Sequence, residues 1–156
     1  MAAQAQPLDL GILLALAYQN FVRDLRSHLA EQGFDDLGRS DGFVFRALGA
    51  SPMSISELAV RLEVTKQAAA QIVDDMQRRG YVRRTPDPHD RRAQRLELTD
   101  RGAAALAAAR QFHQRYERRL ARAHGAAAMA ALRDVLNAVA GGPDETLAPR
   151  LRAMYL

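Results

Sequence analysis

The sequence predicts a mainly α-helical chain that carries one small β-hairpin between its helices, and three observations predict it. Apolar residues recur at steps of three and four over most of the chain, the period of an amphipathic helix. Helix-start signals punctuate the middle of the chain at Ser54 with Glu57, at Thr65 and at Thr99. The pattern then shortens to strand-like runs at Tyr81–Arg84 and Arg95–Leu98, on either side of a loop rich in Pro and Asp.

The first helix is expected over 8–32. Leu10, Leu14, Tyr18, Phe21, Leu25 and Leu29 form one stripe along it, long enough to pack across a second subunit. A shorter helix follows over 40–49, with Phe43, Val44, Ala47 and Leu48 on its apolar side. Ser54 and Glu57 then form a capping box, and Met53 and Leu58 stand at the positions of a hydrophobic staple. That helix carries Leu58, Ala59 and Leu62 inward. Thr65 caps the next one, which ends at Gly80 after Arg78 and Arg79, cations that suit a helix C-terminus. Thr99 and Asp100 open a long Ala-rich helix to about 123, another spans 126–140, and Leu147, Leu151 and Tyr155 suggest a last one over 144–156.

Two short helices across a tight turn, then a strand, a basic loop and a strand, are the parts of a winged helix-turn-helix. The expected organisation is a single domain over 1–156. Within it, 40–101 is the winged lobe, and 8–32 with 103–156 form an all-helical dimerisation region. With 48% hydrophobic residues the chain is ordinary for a soluble domain. Cysteine is absent, which excludes disulfides, thiolate catalysis and Cys-ligated metals. The apolar run from Leu10 to Tyr18 has no basic residue before it and is far shorter than the roughly 20 residues of a membrane span, so no membrane association and a cytoplasmic location are expected.

The net charge of +4 is concentrated: between Arg78 and Arg101 eight arginines face four acids, an excess equal to that of the whole chain. A local arginine excess suits a phosphate-rich partner, although a solvated basic surface has the same composition. On the helix from Thr65 to Arg79, Ala69, Ile72, Val73 and Met76 share one side, while Lys66, Gln67, Ala70, Gln71, Asp74, Gln77 and Arg78 share the other. Lys66, Gln67, Ala70 and Gln71 offer the groups a major groove accepts: Lys to guanine or phosphate, Gln to adenine, a methyl to thymine. Asp74 would repel a phosphate, so only the first two turns are expected to enter the groove. Asp90, Arg91 and Arg92 fall at the hairpin tip, where an Arg suits the narrow minor groove and an Asp can hold a guanidinium in place. With Arg84 and Arg95 on the flanking strands, the candidate DNA-binding set is Thr65, Lys66, Gln67, Ala70, Gln71, Arg84, Asp90, Arg91, Arg92 and Arg95.

The stretch ISELAVRLEVTKQAAAQIVDDMQRRGYVRR, leading into DPHDRRAQRLELTDRG, resembles the MarR family of bacterial transcriptional regulators. The Asp-Pro-x-Asp-Arg-Arg run followed by Leu-x-Leu-Thr and Gly102 is similar to that family's wing signature. The resemblance implies a sequence-specific DNA-binding regulator, a homodimer on a pseudo-palindromic operator with one reading helix per half-site. It places Thr65, Lys66, Gln67 and Gln71 in the recognition helix and implies that Asp90 braces Arg92 toward the minor groove. Two features depart from the pattern. Glu63 stands in the helix-turn-helix turn where Gly or Asn is common, which implies slight strain, and the lack of Cys excludes the family's cysteine-based peroxide sensors.

Other functions fit less well. His28, His89, His113 and His124 are scattered, with no metal-ligand spacing and no Gly-rich phosphate loop, so neither an enzyme nor a metal or cofactor site is expected. A winged-helix protein-interaction or architectural module without a ligand switch is the alternative, and the Arg-rich wing argues against the protein-binding form. A repressor mechanism needs two reading heads spaced for successive major grooves, ~34 Å apart. A small-molecule effector bound beside Tyr18, Phe21, His113 and Tyr116 would alter that spacing.

Overall fold

A computed structural model of the chain describes residues 7–90 and 92–140. Arg91 and the helix expected over 144–156 lie outside the described residues. The described residues form two compact units, which divide between Asp35 and Asp36.

The first unit is built on α1, Leu10–Glu31. The helix closes where Gly33 takes a φ of +84° and the Phe34 amide returns to the Leu29 carbonyl at 2.9 Å. Leu29 and His28 are buried, whereas Leu10, Leu13, Leu14, Leu16 and Tyr18 are exposed.

The second unit runs α2 (Asp41–Leu48), α3 (Ile55–Arg61), α4 (Lys66–Arg78), β1 (Val82–Pro86), β2 (Gln94–Leu98), α5 (Asp100–His124) and α6 (Ala126–Val139). Its core gathers Val44, Phe45 and Leu48 of α2, Leu58 and Leu62 around α3, Ala69, Val73 and Met76 of α4, and Tyr81, Val82 and Leu96 of the hairpin. The capping box forms as expected: the Glu57 amide donates to Ser54 Oγ at 3.2 Å, and the Ser54 amide donates to the Glu57 carboxylate at 2.6 Å. Thr65 caps α4 through the Ala68 amide at 3.1 Å, and Thr99 caps α5 through the Gly102 amide at 3.0 Å. Each cap satisfies an amide that the first turn of a helix leaves without a carbonyl.

Three details differ from expectation. On α2 Phe45 is fully packed and Phe43 only half-buried, because Phe45 meets the Tyr81 ring edge-on at 5.5 Å. The first strand starts and stops later than expected and the second starts one residue earlier: Tyr81 precedes β1, while Thr85, Pro86 and Gln94 join the ladder, with Thr85 opposite Arg95 and Pro86 opposite Gln94. Pairing thus outlasts the alternating apolar pattern, since a hairpin closes as far out as its loop allows. Met53 does more than staple α3. It exchanges both backbone hydrogen bonds with Leu96, at 2.8 and 3.3 Å, and so fixes the start of α3 to the wing.

Candidate nucleic-acid interface

The turn between α3 and α4 decides where α4 points. Glu63 takes a φ of +53°, and among the described residues it is the one non-glycine with a positive φ. L-residues enter this left-handed region at a cost, so the strain expected from Glu63 in a Gly or Asn position is present. The turn launches α4 with Thr65, Lys66, Gln67 and Gln71 exposed and Ala70 half-buried. Among the described residues, the side chains of Lys66, Gln67 and Gln71 have no hydrogen-bond or ion-pair partner, so their donors and acceptors are available to an incoming ligand.

The hairpin tip is held by its own aspartates. Asp87 Oδ1 accepts the amides of His89 at 2.7 Å and Asp90 at 3.3 Å, and these bonds hold its carboxyl below the usual range. Asp90 Oδ1 accepts the backbone amide of Arg92 at 2.9 Å. The sequence pointed to an Asp90 bond with the Arg92 guanidinium, but Asp90 shapes the tip's backbone instead. The role of Asp87 was missed. Its signal was an Asp two residues before His89, the spacing of an Asx turn.

Most of the arginine excess is neutralised internally. Arg78 lies 3.0 Å from Asp75, Arg79 2.6 Å from Asp41, Arg83 3.0 Å from Glu97, Arg84 2.6 Å from Asp74, Arg95 3.5 Å from Asp87 and Arg101 3.4 Å from Asp36. Arg95 also donates to the Pro52 carbonyl at 3.1 Å. Arg84 and Arg95, both in the candidate set, are therefore occupied within the fold. Among the described residues, Arg92 is the one arginine of this segment without an acidic partner, and it is exposed at the wing tip.

Behind these surfaces an ionic cluster ties the segment before α2, the link between α4 and β1, and α5 together. The Tyr81 hydroxyl donates to Asp36 and accepts from Arg101 at 3.0 Å, with the Arg101 guanidinium 4.7 Å from the ring centre. Partial burial works against the Asp36 charge, yet the Tyr81 hydroxyl and Arg101 hold its carboxyl below the ordinary value. Burial and the Asp36 carboxylate push the Tyr81 phenol up to about 12. The folded value exceeds the ordinary 10, so this contribution is complete below pH 10 and is lost as the pH rises from 10 to about 12. Tyr81→Phe is expected to flatten that alkaline limb of the stability curve, read by urea unfolding at rising pH.

The residues suggested for an effector fall on both units, Tyr18 and Phe21 on α1 and His113 and Tyr116 on α5. Phe112 stacks near Tyr116 at 5.7 Å, and Arg119 lies 4.8 Å from the centre of the Tyr116 ring. Burial lowers the His113 imidazole below its usual value, favouring the neutral ring. Two recesses lie along α5, one lined by Arg115, Arg118, Arg119 and Arg122, the other including Leu98, Leu106 and Arg110. Neither is lined by His113 or Tyr116.

Residues 35–93 match the family model described as MarR family. The solved CouR, a transcriptional repressor bound to a 23-mer DNA duplex, is 29% identical, with a TM-score of 0.65 over 86% of this chain and 99% of that one. The winged helix-turn-helix of this chain is thus similar to that of the MarR family. Its fold also follows that of a MarR variant from E. coli complexed with operator DNA: 27% identity, a TM-score of 0.63, 83% of this chain and 92% of that one. Among curated relatives, the exopolysaccharide II synthesis transcriptional activator ExpG of Rhizobium meliloti is 27% identical over 117 residues, 75% of this chain. The match spans 59% of ExpG's length. In this fold α3 and α4 form the helix-turn-helix and the β1–β2 hairpin the wing.

Proposed function

We propose that the chain is a sequence-specific DNA-binding transcriptional regulator that acts as a homodimer. The observation that carries this reading is the contrast in how its polar groups are used. Among the described residues, the first two turns of α4 present Lys66, Gln67 and Gln71 without side-chain partners and Arg92 has no acidic partner at the wing tip, while the neighbouring arginines are held by carboxylates. One helix then reads base edges and one arginine reaches a flanking groove, the division of labour between specifying and positioning contacts. That related structures contain DNA supports the same reading.

Two exposed apolar helices support the dimer. Leu10, Leu13, Leu14 and Leu16 are exposed on α1, and on α6, which has no buried residue, so are Leu132, Val135, Leu136 and Val139. Apolar surface on this scale, left in water, marks an association surface. A twofold dimer favours a self-complementary site with half-sites one helical turn apart.

We further propose that a small-molecule effector relieves repression by favouring a different spacing of the two reading heads. The ligand must bind one spacing more tightly than the other, since equal affinity for both shifts nothing. Unchanged DNA affinity at saturating ligand refutes this switch.

The roles of α4 and the wing separate by mutation. Gln71→Ala is expected to cost ~1–3 kcal/mol at the preferred site and little on random DNA. Arg92→Ala is expected to weaken binding to both and to lower the salt slope by about 1. Equal losses on both duplexes for Gln71→Ala would show that Gln71 does not read bases.

A further inference from the structure

Arg84 and Asp74 form an ion pair on the reading face itself. Asp74 continues the outward stripe of α4 three residues beyond Gln71, and its side chain is 59% exposed. Arg84 reaches it from β1, where it pairs with buried Leu96 in the ladder, and its side chain is 25% exposed. One Nη donates to Asp74 at 2.6 Å and the other to the Gln77 side chain. A cation well placed for a phosphate is thus held against α4 by a carboxylate and an amide.

An exposed pair of this kind contributes little to stability. Its electrostatic consequence at a DNA surface is larger. The carboxylate repels phosphates and also occupies the cation that would otherwise attract them.

We propose that Asp74 is a specificity-determining residue, which holds Arg84 off the DNA backbone so that affinity depends on the base-reading turns of α4. Random complexes are held by backbone contacts alone and can shift to use any added cation, whereas base contacts fix the register of a specific complex. Withholding Arg84 lowers the affinity for random DNA. The operator complex, held in register by base contacts through Lys66, Gln67 and Gln71, loses less, because a fixed register leaves Arg84 less free to find a phosphate. The inference rests on the DNA-binding reading above.

The test compares the full-length chain with Asp74→Asn, Arg84→Gln and the double variant. Each is titrated with a random-sequence duplex and with a duplex selected from a random pool, over a salt series, with thermal melting alongside. Asp74→Asn is expected to bind random DNA more tightly and to narrow the preference for the selected duplex. One further phosphate contact steepens the salt slope by about 0.9, so the affinity lost between about 50 and 200 mM salt grows by about 3.5-fold. Arg84→Gln in the Asp74→Asn background is expected to abolish that gain, and Asp74→Glu to keep the original slope.

A purely structural clasp gives a different result: Asp74→Asn lowers the melting temperature and weakens both duplexes at an unchanged slope, which overturns the proposal. A gain that survives the double substitution overturns it too, because Arg84 is then not the released cation. Failure of the unsubstituted chain to bind either duplex at low salt refutes the DNA-binding reading and this inference with it. Normal binding with no change in Asp74→Asn refutes the inference alone.

Discussion

Replacing Asp41 with Ala is expected to destabilise the fold by about 3 kcal/mol, near the lower end of the usual cost of orphaning a buried charge. Asp41 is 3% exposed and accepts both Arg79 Nη1 at 2.6 Å and Nη2 at 3.2 Å, together with the Gly38 amide at 2.8 Å. Without it, Arg79, whose side chain is 18% exposed, keeps Asp75 at 2.5 Å and the Asp36 carbonyl at 2.7 Å. Those remaining partners place the loss at the low end. Asp41→Asn keeps an acceptor for Gly38 and should lose less than Asp41→Ala. Urea unfolding of both variants measures the difference, and a loss under about 1 kcal/mol for Asp41→Ala would show that the pair behaves like an exposed one. Because Arg79 closes α4, the same variant should loosen the helix C-terminus and lower DNA affinity without changing sequence preference.

Gly102→Ala is expected to be comparably damaging. A Cβ built at Gly102 would sit 2.1 Å from the Tyr81 carbonyl oxygen and 3.1 Å from its carbonyl carbon. Both atoms are backbone, so no rotamer change makes room. The first turn of α5 must move away, against the bond from the Thr99 amide to Tyr81 O at 3.0 Å and that from Thr99 Oγ1 to the Gly80 carbonyl at 2.5 Å. Overpacking of this kind costs about 3 kcal/mol. For a chain of this size that lowers Tm by roughly 6–12 °C. Gly80→Ala is a useful comparison: its φ of +78° imposes backbone strain, but a Cβ there meets only Arg101 Cδ at 3.8 Å. A Gly102→Ala protein melting with the unsubstituted chain would contradict this close approach of helix and strand.

Local chemistry was legible in the sequence; long-range partners were not. Ser54, Glu57, Thr65 and Thr99 announced their helices because a cap bonds amides two or three residues away. Glu63 announced its turn, since the left-handed region penalises a Cβ wherever it occurs. The outward side of α4 followed from helical periodicity alone. Burial of Asp41 could not be read, because what neutralises it is Arg79, and the two are separated by 38 residues. Arg84 and Arg95 carried the right charge in the right segment, but only the fold brings Asp74 and Asp87 to them. The glycine of the wing signature was legible as a motif. Its reason, a carbonyl 2.1 Å from where a Cβ would stand, is tertiary.

The central claim is that the exposed groups of α4 and the wing tip read DNA. Its most direct test is a salt titration of binding to the DNA just upstream of the chain's own coding region, against a random duplex of equal length. The account predicts a preference of about 10³-fold or more for one self-complementary segment, with affinity falling steeply as salt rises. Absence of binding to either duplex at low salt would contradict it.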